Sequence, residues 1–425
     1  MASWANAEDD DAIVLVWSDR VMRRVPDWRF FATLASISLI GPLAIHMYLP
    51  AMPVIKSTFE VSDALVGWTY SAALVVMAAA TLIYGSLSDR YGRRPVLFAG
   101  LLFFTIGSVV SGLAGSFYGL IAGRVIQALG AGCGLTLARA IARDAYGHDE
   151  LVKVIAYLTM AYTLGPLMAT LFGGVLVDTA GWRSLFALAA AAGVLIAAAS
   201  GLVMYETHPK SDSQRKPSGF IREYAALFSH ARFTAFVLQS GFSSGVFYPL
   251  AAAASFLMKD HLGRSGTEFG VYFIAFPIGY FLGNLLSSRL SQRFGIENMV
   301  LIGSLVNFAA IGIQTASVLA GYLSPLILFV PGGLSSFGQG MALPNAQVGA
   351  MRVIPSLAGT AAGVGVFCQV FIGAVFAQMY SLFADGTPIP MAATVMTASI
   401  LTLAAGATPY LLKRRERNVE GGLGR

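Results

Sequence analysis

Twelve apolar runs recur along this chain of 425 residues, separated by short polar breaks. A helix needs about 20 residues to cross the hydrocarbon core of a bilayer, and each run approaches or exceeds that length. The predicted spans are residues 30–52, 65–87, 95–115, 118–141, 153–177, 184–205, 233–258, 269–290, 299–320, 323–349, 358–383 and 390–412. Only 12% of the residues are charged, against roughly 25% in soluble domains. The expected fold is therefore an all-α polytopic membrane protein.

Most of the basic residues lie between the apolar runs, on one side of the predicted membrane. With both termini placed in the cytoplasm, 22 of the 28 Lys and Arg residues fall on the cytoplasmic side. The opposite side receives Lys56, Arg183, Lys259 and Arg264. Because cytoplasmic loops carry an excess of basic residues, this asymmetry predicts cytoplasmic termini. Short basic clusters between spans differ from a continuous basic surface, so we expect no nucleic-acid partner.

The longest hydrophilic stretch after the first span joins the sixth and seventh predicted spans. It contains Pro209, Pro217 and Gly219, a composition typical of a domain boundary. The predicted segments are a cytoplasmic N-terminal extension (1–29), a six-helix bundle (30–205), a cytoplasmic linker (206–232), a second six-helix bundle (233–412) and a cytoplasmic tail (413–425). The acidic start of the extension, Glu8–Asp11, is unlike that of a cleavable signal peptide.

The two predicted halves also share a short sequence. Residues 86–94 read SLSDRYGRR, and residues 289–297 read RLSQRFGIE. Gly92 and Gly295 correspond in this comparison and lie close to half a chain length apart. Two six-helix repeats in parallel orientation are an architecture of secondary transporters. The sequence therefore predicts two pseudo-symmetric six-helix bundles.

The stretch from Gly85 to Arg94, GSLSDRYGRR, resembles the signature loop of the major facilitator superfamily. The resemblance implies the major-facilitator fold and a gating loop formed by Gly85, Asp89, Arg90, Gly92, Arg93 and Arg94. We expect Gly85 and Gly92 to allow a close helix approach and a tight turn. An anion such as Asp89 can pair with the arginines or lie against a helix N-terminus. The alternative is that these arginines only anchor the topology.

Three further stretches resemble the Bcr/CflA-like branch of the twelve-span drug:proton antiporters. The first predicted span contains HMYLPAMP (46–53), where that branch reads DMYLPALP. The fourth contains RVIQALG (124–130) followed by ARAIARD (138–144). The tenth contains Leu343-Pro344-Asn345-Ala346, and the eleventh opens with AGTA (358–361). The resemblance implies a monomeric, multi-pass transporter of the bacterial inner membrane, driven by the proton gradient without a cofactor.

The fifth predicted span resembles the antiporter motif of this group in part. Gly165-Pro166 and Gly173-Gly174 are present, whereas the second Gly/Ala-Pro pair expected before the double glycine reads Ala169-Thr170. Small residues let helix backbones pack closely, and a proline bends the helix. The motif supports export, and the alternative is ordinary packing through small residues.

Ionisable groups within the bilayer are costly and therefore candidates for function. Arg124 lies about six residues into the fourth span, and Gln127 shares its helix face. In related transporters this arginine lines the central cavity and takes part in proton coupling; the alternative is a structural arginine that binds backbone carbonyls. Arg139 is a further cavity candidate, although snorkelling from the cytoplasmic end of the span also explains it.

His46, with Tyr48 beside it, occupies the position where similar proteins carry an aspartate. A histidine titrates near physiological pH and can replace the carboxylate as a proton carrier, whereas it cannot neutralise a cationic drug. The alternative is a hydrogen-bonded packing histidine. None of the predicted spans contains an acidic residue well inside the bilayer. We therefore expect a neutral to positive cavity that favours neutral or anionic substrates over cationic ones.

Cavity candidates in the second half are aromatic and amide side chains, which suit an adaptable site for small organic molecules. They are Gln239, Phe247, Tyr248, Gln339, Asn345 and Gln369. The leading hypothesis is a proton-coupled exporter of small neutral or anionic organic compounds, a drug or metabolite efflux protein that works by alternating access. The alternative is an importer or facilitator of a small metabolite on the same fold. We predict no catalytic or metal-ligating residues, and partners limited to lipid, protons and the small-molecule substrate.

Overall fold

The structure is a computed structural model that describes residues 27–146, 148–207 and 220–423. Within these ranges, twelve helices are long and apolar enough to cross a membrane, which confirms the predicted number of spans. Spans 1–12 are Trp28–Phe59, Asp63–Tyr91, Arg93–Gly112, Phe117–Ala145, Lys153–Ala180, Arg183–Val203, Ala231–His261, Gly266–Phe294, Ile296–Leu319, Pro325–Val353, Gly359–Phe383 and Ile389–Glu416. The predicted extension (1–29) and the centre of the linker lie mostly outside the described residues.

Spans 1–6 form the first half and spans 7–12 the second half of the molecule. Span 3 packs along span 4, and span 9 packs along span 10. Span 2 packs against span 11 and span 5 against span 8, so these two pairs connect the halves. A short helix, Phe220–Phe228, precedes span 7 and packs against the second half.

The turns after spans 2 and 8 have the same backbone geometry in both halves. Gly92 has φ +96° and Gly295 has φ +83°, values that glycine adopts without the strain other residues would incur. The Gly92 N–H donates to the Ser88 carbonyl at 3.1 Å, and the Gly295 N–H donates to the Ser291 carbonyl at 2.9 Å. The matching turns agree with the repeat read from the sequence. We call the side of the molecule that holds them the loop face.

Four of the spans are interrupted. Span 1 consists of Trp28–Ser38, Ile40–His46, a 3₁₀ turn at Leu49–Ala51, and Met52–Phe59. Span 4 consists of Phe117–Ala131 and Gly134–Ala145, span 7 of Ala231–Phe256 and a π-helical turn at Leu257–His261, and span 8 of Gly266–Phe273 and Ala275–Phe294. Span 1 continues to Phe59, seven residues beyond its predicted end at Met52, because Pro53 is compatible with the first turn of a helix.

The two halves are joined by hydrogen bonds on the side opposite the loop face, which we call the far face. Gly266 N and Thr267 N of span 8 donate to the Asp178 carboxylate of span 5, at 3.0 and 2.7 Å. Lys56 Nζ contacts Asp260 Oδ2 at 3.0 Å. Nearer the membrane centre, Ser255 Oγ donates to Leu49 O at 2.6 Å and Ser71 Oγ donates to Gln378 Oε1 at 2.6 Å. Among the described residues, every hydrogen bond between the halves lies in this far-face part, so the transporter is closed on that side.

Candidate functional site

Arg124 is buried near the middle of the first half. Its side chain is 2% exposed, and it donates to the Ala44 carbonyl oxygen and to Gln127 Oε1, both at 2.6 Å. Gln127 Nε2 donates in turn to Ser108 Oγ at 2.9 Å. Ala44 lies in the last turn of the helical segment that ends at His46, where carbonyls lose intrahelical partners. The guanidinium therefore joins span 4 to the break in span 1.

Tyr48 holds the other side of the same guanidinium. The Arg124 Cζ atom lies 4.2 Å from the centre of the Tyr48 ring, within the range of a cation–π contact. The Tyr48 hydroxyl shares a hydrogen bond of 2.5 Å with Thr69 Oγ1 of span 2. Arg124 Nε and one terminal nitrogen have no hydrogen-bond partner among the described residues. Arg124 thus retains donor capacity for a further ligand.

His46 lies where the two halves meet. Its ring is 5.9 Å from that of Phe247 in span 7 and 6.2 Å from that of Phe273 in span 8. The side chain is 8% exposed, and its Nδ1 has no hydrogen-bond partner among the described residues. A packing histidine would be expected to satisfy this nitrogen. The structure therefore places an unpaired titratable ring directly between the halves.

The backbone of His46 is bonded to span 5. Pro50 has no N–H, so the His46 carbonyl lacks the donor that a continuous helix would provide four residues later. Thr170 Oγ1 donates to this carbonyl at 3.3 Å, and Thr170 is fully buried. The departure Ala169-Thr170 from the antiporter motif therefore supplies a hydroxyl at the break in span 1.

Tyr70 is a buried polar residue at the interface of the halves that is not among the residues predicted from the sequence. Its ring packs edge-to-face against Tyr248 of the second half, with centroids 6.3 Å apart. The side chain is 1% exposed, and its hydroxyl has no partner among the described residues. A tyrosine inside an apolar run gives no charge signal, which explains why only its burial beside the second half identifies it.

The predicted amides of the second half do not converge on His46 and Arg124. Gln239 Nε2 donates to Ser304 Oγ at 3.3 Å, and Asn345 Nδ2 donates to Ser287 Oγ at 2.7 Å, both within the second half. Gln369 Oε1 accepts a 3.5 Å contact from Gln347, also within that half. Gln339 is buried in span 10. Two other second-half candidates do contact the first half: Phe247 contacts His46, and Tyr248 contacts Tyr70.

The predicted gating loop is held by ion pairs at the loop face. The Arg93 side chain is 2% exposed and binds Asp89 at 2.6 Å and Asp144 of span 4 at 2.7 Å. The Glu206 carboxylate accepts hydrogen bonds from the backbone N–H groups of Arg93 and Arg94, at 2.8 and 3.0 Å. These N–H groups begin span 3, where a negative charge is favoured. The loop is therefore locked within the first half in this conformation.

Gly85, Arg90 and Arg94 have different surroundings. A Cβ atom added at Gly85 would meet nothing within 4 Å, so the expected close helix approach at Gly85 is wrong for this conformation. Gly92 does form the expected turn, beside the Glu206 carboxylate. Arg90 lies over the ring of Tyr91, and Arg94 donates to the Gly201 carbonyl oxygen at 3.1 Å.

The glycines of span 5 lie against two different neighbours. Cβ atoms added at Gly165 and Gly173 would crowd Pro42 and Met47 of span 1. A Cβ at Gly174 would overlap the backbone carbonyl of Gly266 in span 8. Pro166 lies within a continuous helix, His148–Ala180. Span 5 thus contacts the break in span 1 and the second half through glycine backbone.

Arg139 is separated from Arg124 by the interruption in span 4. Among the described residues, its hydrogen-bond partner is Thr159 Oγ1 of span 5, to which it donates at 3.3 Å, and its Nε is buried without a partner. Its charge also interacts electrostatically with the hydroxyls of Tyr162 in span 5 and Tyr280 in span 8. Arg139 therefore lies near both halves, on the loop-face side of the site.

Comparison with known proteins places this chain among transporters. The family model described as Major Facilitator Superfamily matches residues 34–378. Multidrug resistance protein D of Escherichia coli (strain K12) is 30% identical over 349 residues, which cover 80% of this chain and 85% of that protein. A bicyclomycin resistance protein homolog of Haemophilus influenzae is 26% identical over 88% of this chain and 94% of its own length. A chloramphenicol resistance protein of Pseudomonas aeruginosa is 27% identical over 87% of this chain and 88% of its own length.

Solved structures share the same fold at lower identity. A bacterial homolog of the human lysosomal transporter Spinster, in an inward-facing and unoccupied conformation, superimposes with a TM-score of 0.72 at 20% identity, covering 90% of this chain and 96% of that chain. A D-xylose–proton symporter gives a TM-score of 0.70 at 16% identity, covering 88% and 97%. The relatives by sequence are Bcr/CflA-like resistance transporters, which are not enzymes. The chain therefore belongs to the major facilitator superfamily as a multi-pass membrane transporter.

Proposed function

We propose that this transporter is a proton-coupled antiporter that exports small neutral or anionic organic compounds. The observation that carries the proposal is the unpaired His46 ring between the halves, beside Phe247 and Phe273. The resistance proteins among its relatives support drug or metabolite efflux as the physiological role. The positive-inside asymmetry supports placing the loop face in the cytoplasm of a bacterial cell, with the transporter acting as a monomer in the inner membrane.

Coupling follows from competition for one electropositive site. Protonation of His46 places a second positive charge in the same bundle as Arg124, in a medium that screens charge poorly. A protonated pair is costly in this medium, so in an antiporter it forms without substrate and loses its proton before a substrate binds beside Arg124. Deprotonation of His46 on the cytoplasmic side allows a neutral substrate to occupy the aromatic surroundings. The spans contain acidic residues only near their ends, so no carboxylate near the membrane centre neutralises this site.

We define the far-face seam as the contacts of Asp178, Lys56 and Ser255 with the second half. Alternating access requires this seam to open while the loop face closes. His46 lies at the inner end of this seam, because Phe273 belongs to the same helical segment of span 8 that Asp178 caps. A change in the charge or hydration of His46 therefore acts on the contacts that must separate.

Everted membrane vesicles test the proposal. After energisation acidifies the interior, a transported compound should release protons, seen as recovery of the fluorescence of a pH-sensitive dye. We expect this response with neutral and anionic aromatic compounds, and not with quaternary ammonium dyes. Vesicles without the transporter are the control. No proton release across a broad neutral and anionic panel would refute antiport.

The second candidate is an importer or facilitator of a small metabolite. It is favoured by two departures from the antiporter pattern, His46 in place of an aspartate and Ala169-Thr170 in place of the second Gly/Ala-Pro pair. The same vesicles separate the two functions by direction. Uptake of labelled compound into everted vesicles against its gradient corresponds to export from the cell, whereas equilibration without proton movement corresponds to facilitation.

A further inference from the structure

Two arginines of span 4 line a cavity on the loop-face side of the molecule. Arg139 and Arg143 are four residues apart in the helical segment Gly134–Ala145, so they lie on one helix face. The cavity has a volume of about 390 Å³, comparable to that of known small-ligand sites. Its lining residues are Thr136, Arg139, Ala140, Arg143, Leu151 and Ile155.

The two cavity arginines differ in their ion pairs: Arg139 has none among the described residues, and Arg143 has a long one with Asp144, which lies outside the cavity lining. Arg143 has a side chain that is 64% exposed and approaches Asp144 only to 3.5 Å, while Asp144 binds Arg93 at 2.7 Å. No described carboxylate lies within ion-pair distance of Arg139, whose hydrogen-bond partner is the Thr159 hydroxyl. A partly buried cation without an anion is costly, and two on one face repel each other. An anion in the cavity would relieve both costs.

The opposite wall of the cavity is apolar. Leu151 and Ile155 belong to the helix that continues into span 5, and both pack against the hydrophobic core. The cavity therefore offers two guanidinium groups on one wall and aliphatic carbon on the other. Guanidinium groups bind carboxylate, sulfonate and phosphate oxygens through directed, charge-assisted hydrogen bonds.

We propose that Arg139 and Arg143 form the entry site for organic anions, binding the acidic group of an amphiphilic substrate while Leu151 and Ile155 contact its apolar body. This inference rests on the proposed export function and narrows its substrate class to compounds that carry a carboxylate or sulfonate.

Equilibrium binding without a proton gradient tests the site separately from transport. The purified transporter in phosphatidylcholine nanodiscs is titrated with three probes that share one ring system: 1-naphthoate, 1-naphthylmethanol and 1-naphthylmethylammonium. We expect 1-naphthoate to bind more tightly than the other two. Arg139→Gln and Arg143→Gln should each weaken 1-naphthoate about tenfold or more, as expected for loss of a hydrogen bond to a charged group. Binding of the alcohol should change less than twofold.

Two controls make the result specific. Arg414→Gln removes an exposed arginine from the same face outside the cavity and should leave 1-naphthoate binding unchanged. Arg139→Lys retains the charge and should recover part of the affinity, which also shows that the variant folds. Equal affinity for all three probes, or unchanged affinity in the doubly substituted protein, would overturn the proposal.

The competing ligand for Arg139 and Arg143 is the phosphate headgroup of an anionic lipid. Nanodiscs that also contain phosphatidylglycerol distinguish the two ligands. If the anionic lipid abolishes 1-naphthoate binding competitively, the cavity is a lipid site and the substrate proposal fails. If 1-naphthoate binds as predicted but no compound of the neutral and anionic panel releases protons from energised vesicles, the anion site stands and the antiport proposal fails.

Discussion

At the scale of single residues, the most informative position is His46. An ionisable ring in a bilayer interior is costly unless it has partners, yet its Nδ1 has none among the described residues. Its surroundings are the rings of Phe247 and Phe273 from the other half. The protonation state of His46 therefore changes the stability of the interface between the halves.

We expect His46→Ala to leave the transporter folded and to abolish substrate-induced proton release at every pH. Histidine is the side chain whose charge ordinarily changes between about pH 5 and pH 8, and the spans hold no carboxylate near the membrane centre to replace it. The measurement is the initial rate of release in everted vesicles across that pH range. The matched control is His230→Ala, an exposed histidine before span 7. An unchanged pH profile in His46→Ala would remove this residue from coupling.

At the scale of helices, the break in span 1 is built with donors from other spans. Arg124 of span 4, Thr170 of span 5 and Ser255 of span 7 donate to the carbonyls of Ala44, His46 and Leu49. Backbone polar groups at membrane depth must be satisfied within the protein. Span 1 is therefore connected to both halves where its helix is interrupted, and movement of span 7 would release Leu49 from Ser255.

Gly174 provides a test of the contact between spans 5 and 8. A methyl group at this position would overlap the Gly266 carbonyl oxygen, so we expect Gly174→Ala to disfavour the far-face-closed state by about 1–3 kcal/mol. Spin labels at the exposed residues Tyr118 and Tyr322, one in each half on the far face, report the separation. Cys133 and Cys368 are first replaced by serine.

In this experiment the label distance should increase in Gly174→Ala. Gly365→Ala in span 11 is the matched control, because an added methyl there would meet nothing within 4 Å. The same distance distribution in Gly174→Ala and in the parent protein would show that the helix contact adapts without opening.

At the scale of the whole molecule, the number of spans and the repeat could be predicted from the sequence, whereas the interface of the halves could not. A span is identified by about 20 consecutive residues, and a repeated turn by a local match such as Gly92 with Gly295. Asp178 contacts Thr267, which is 89 positions away, and Tyr70 contacts Tyr248, which is 178 positions away. The sequence around each residue does not indicate such a distant partner. For the same reason, Gln239 and Asn345 were predicted at the cavity but bond within their own half.

Asp178 gives the prediction for the closed state as a whole. Its carboxylate accepts from Gly266 N, Thr267 N and the Thr267 hydroxyl at the start of span 8. Asp178→Asn removes the charge and one acceptor, so we expect the far-face-open population to rise about tenfold. The same spin-label pair measures it, and Asp385→Asn is the control, since the hydrogen bonds of Asp385 among the described residues are to Thr387 in its own turn. A closed population equal to that of the parent would show that the cap contributes nothing to closure.

Because the far-face hydrogen bonds must be broken and remade in every cycle, their combined strength sets an optimum for turnover. A stronger seam deepens one well of the free-energy profile and makes escape from it slow. A weaker seam shifts the slow step to the return of the empty carrier. Transport rate plotted against seam strength therefore passes through a maximum, as catalytic rate does against the binding strength of an intermediate. Asp178 is exposed at the edge of the seam, so substitutions there change the strength of the seam and therefore the transport rate.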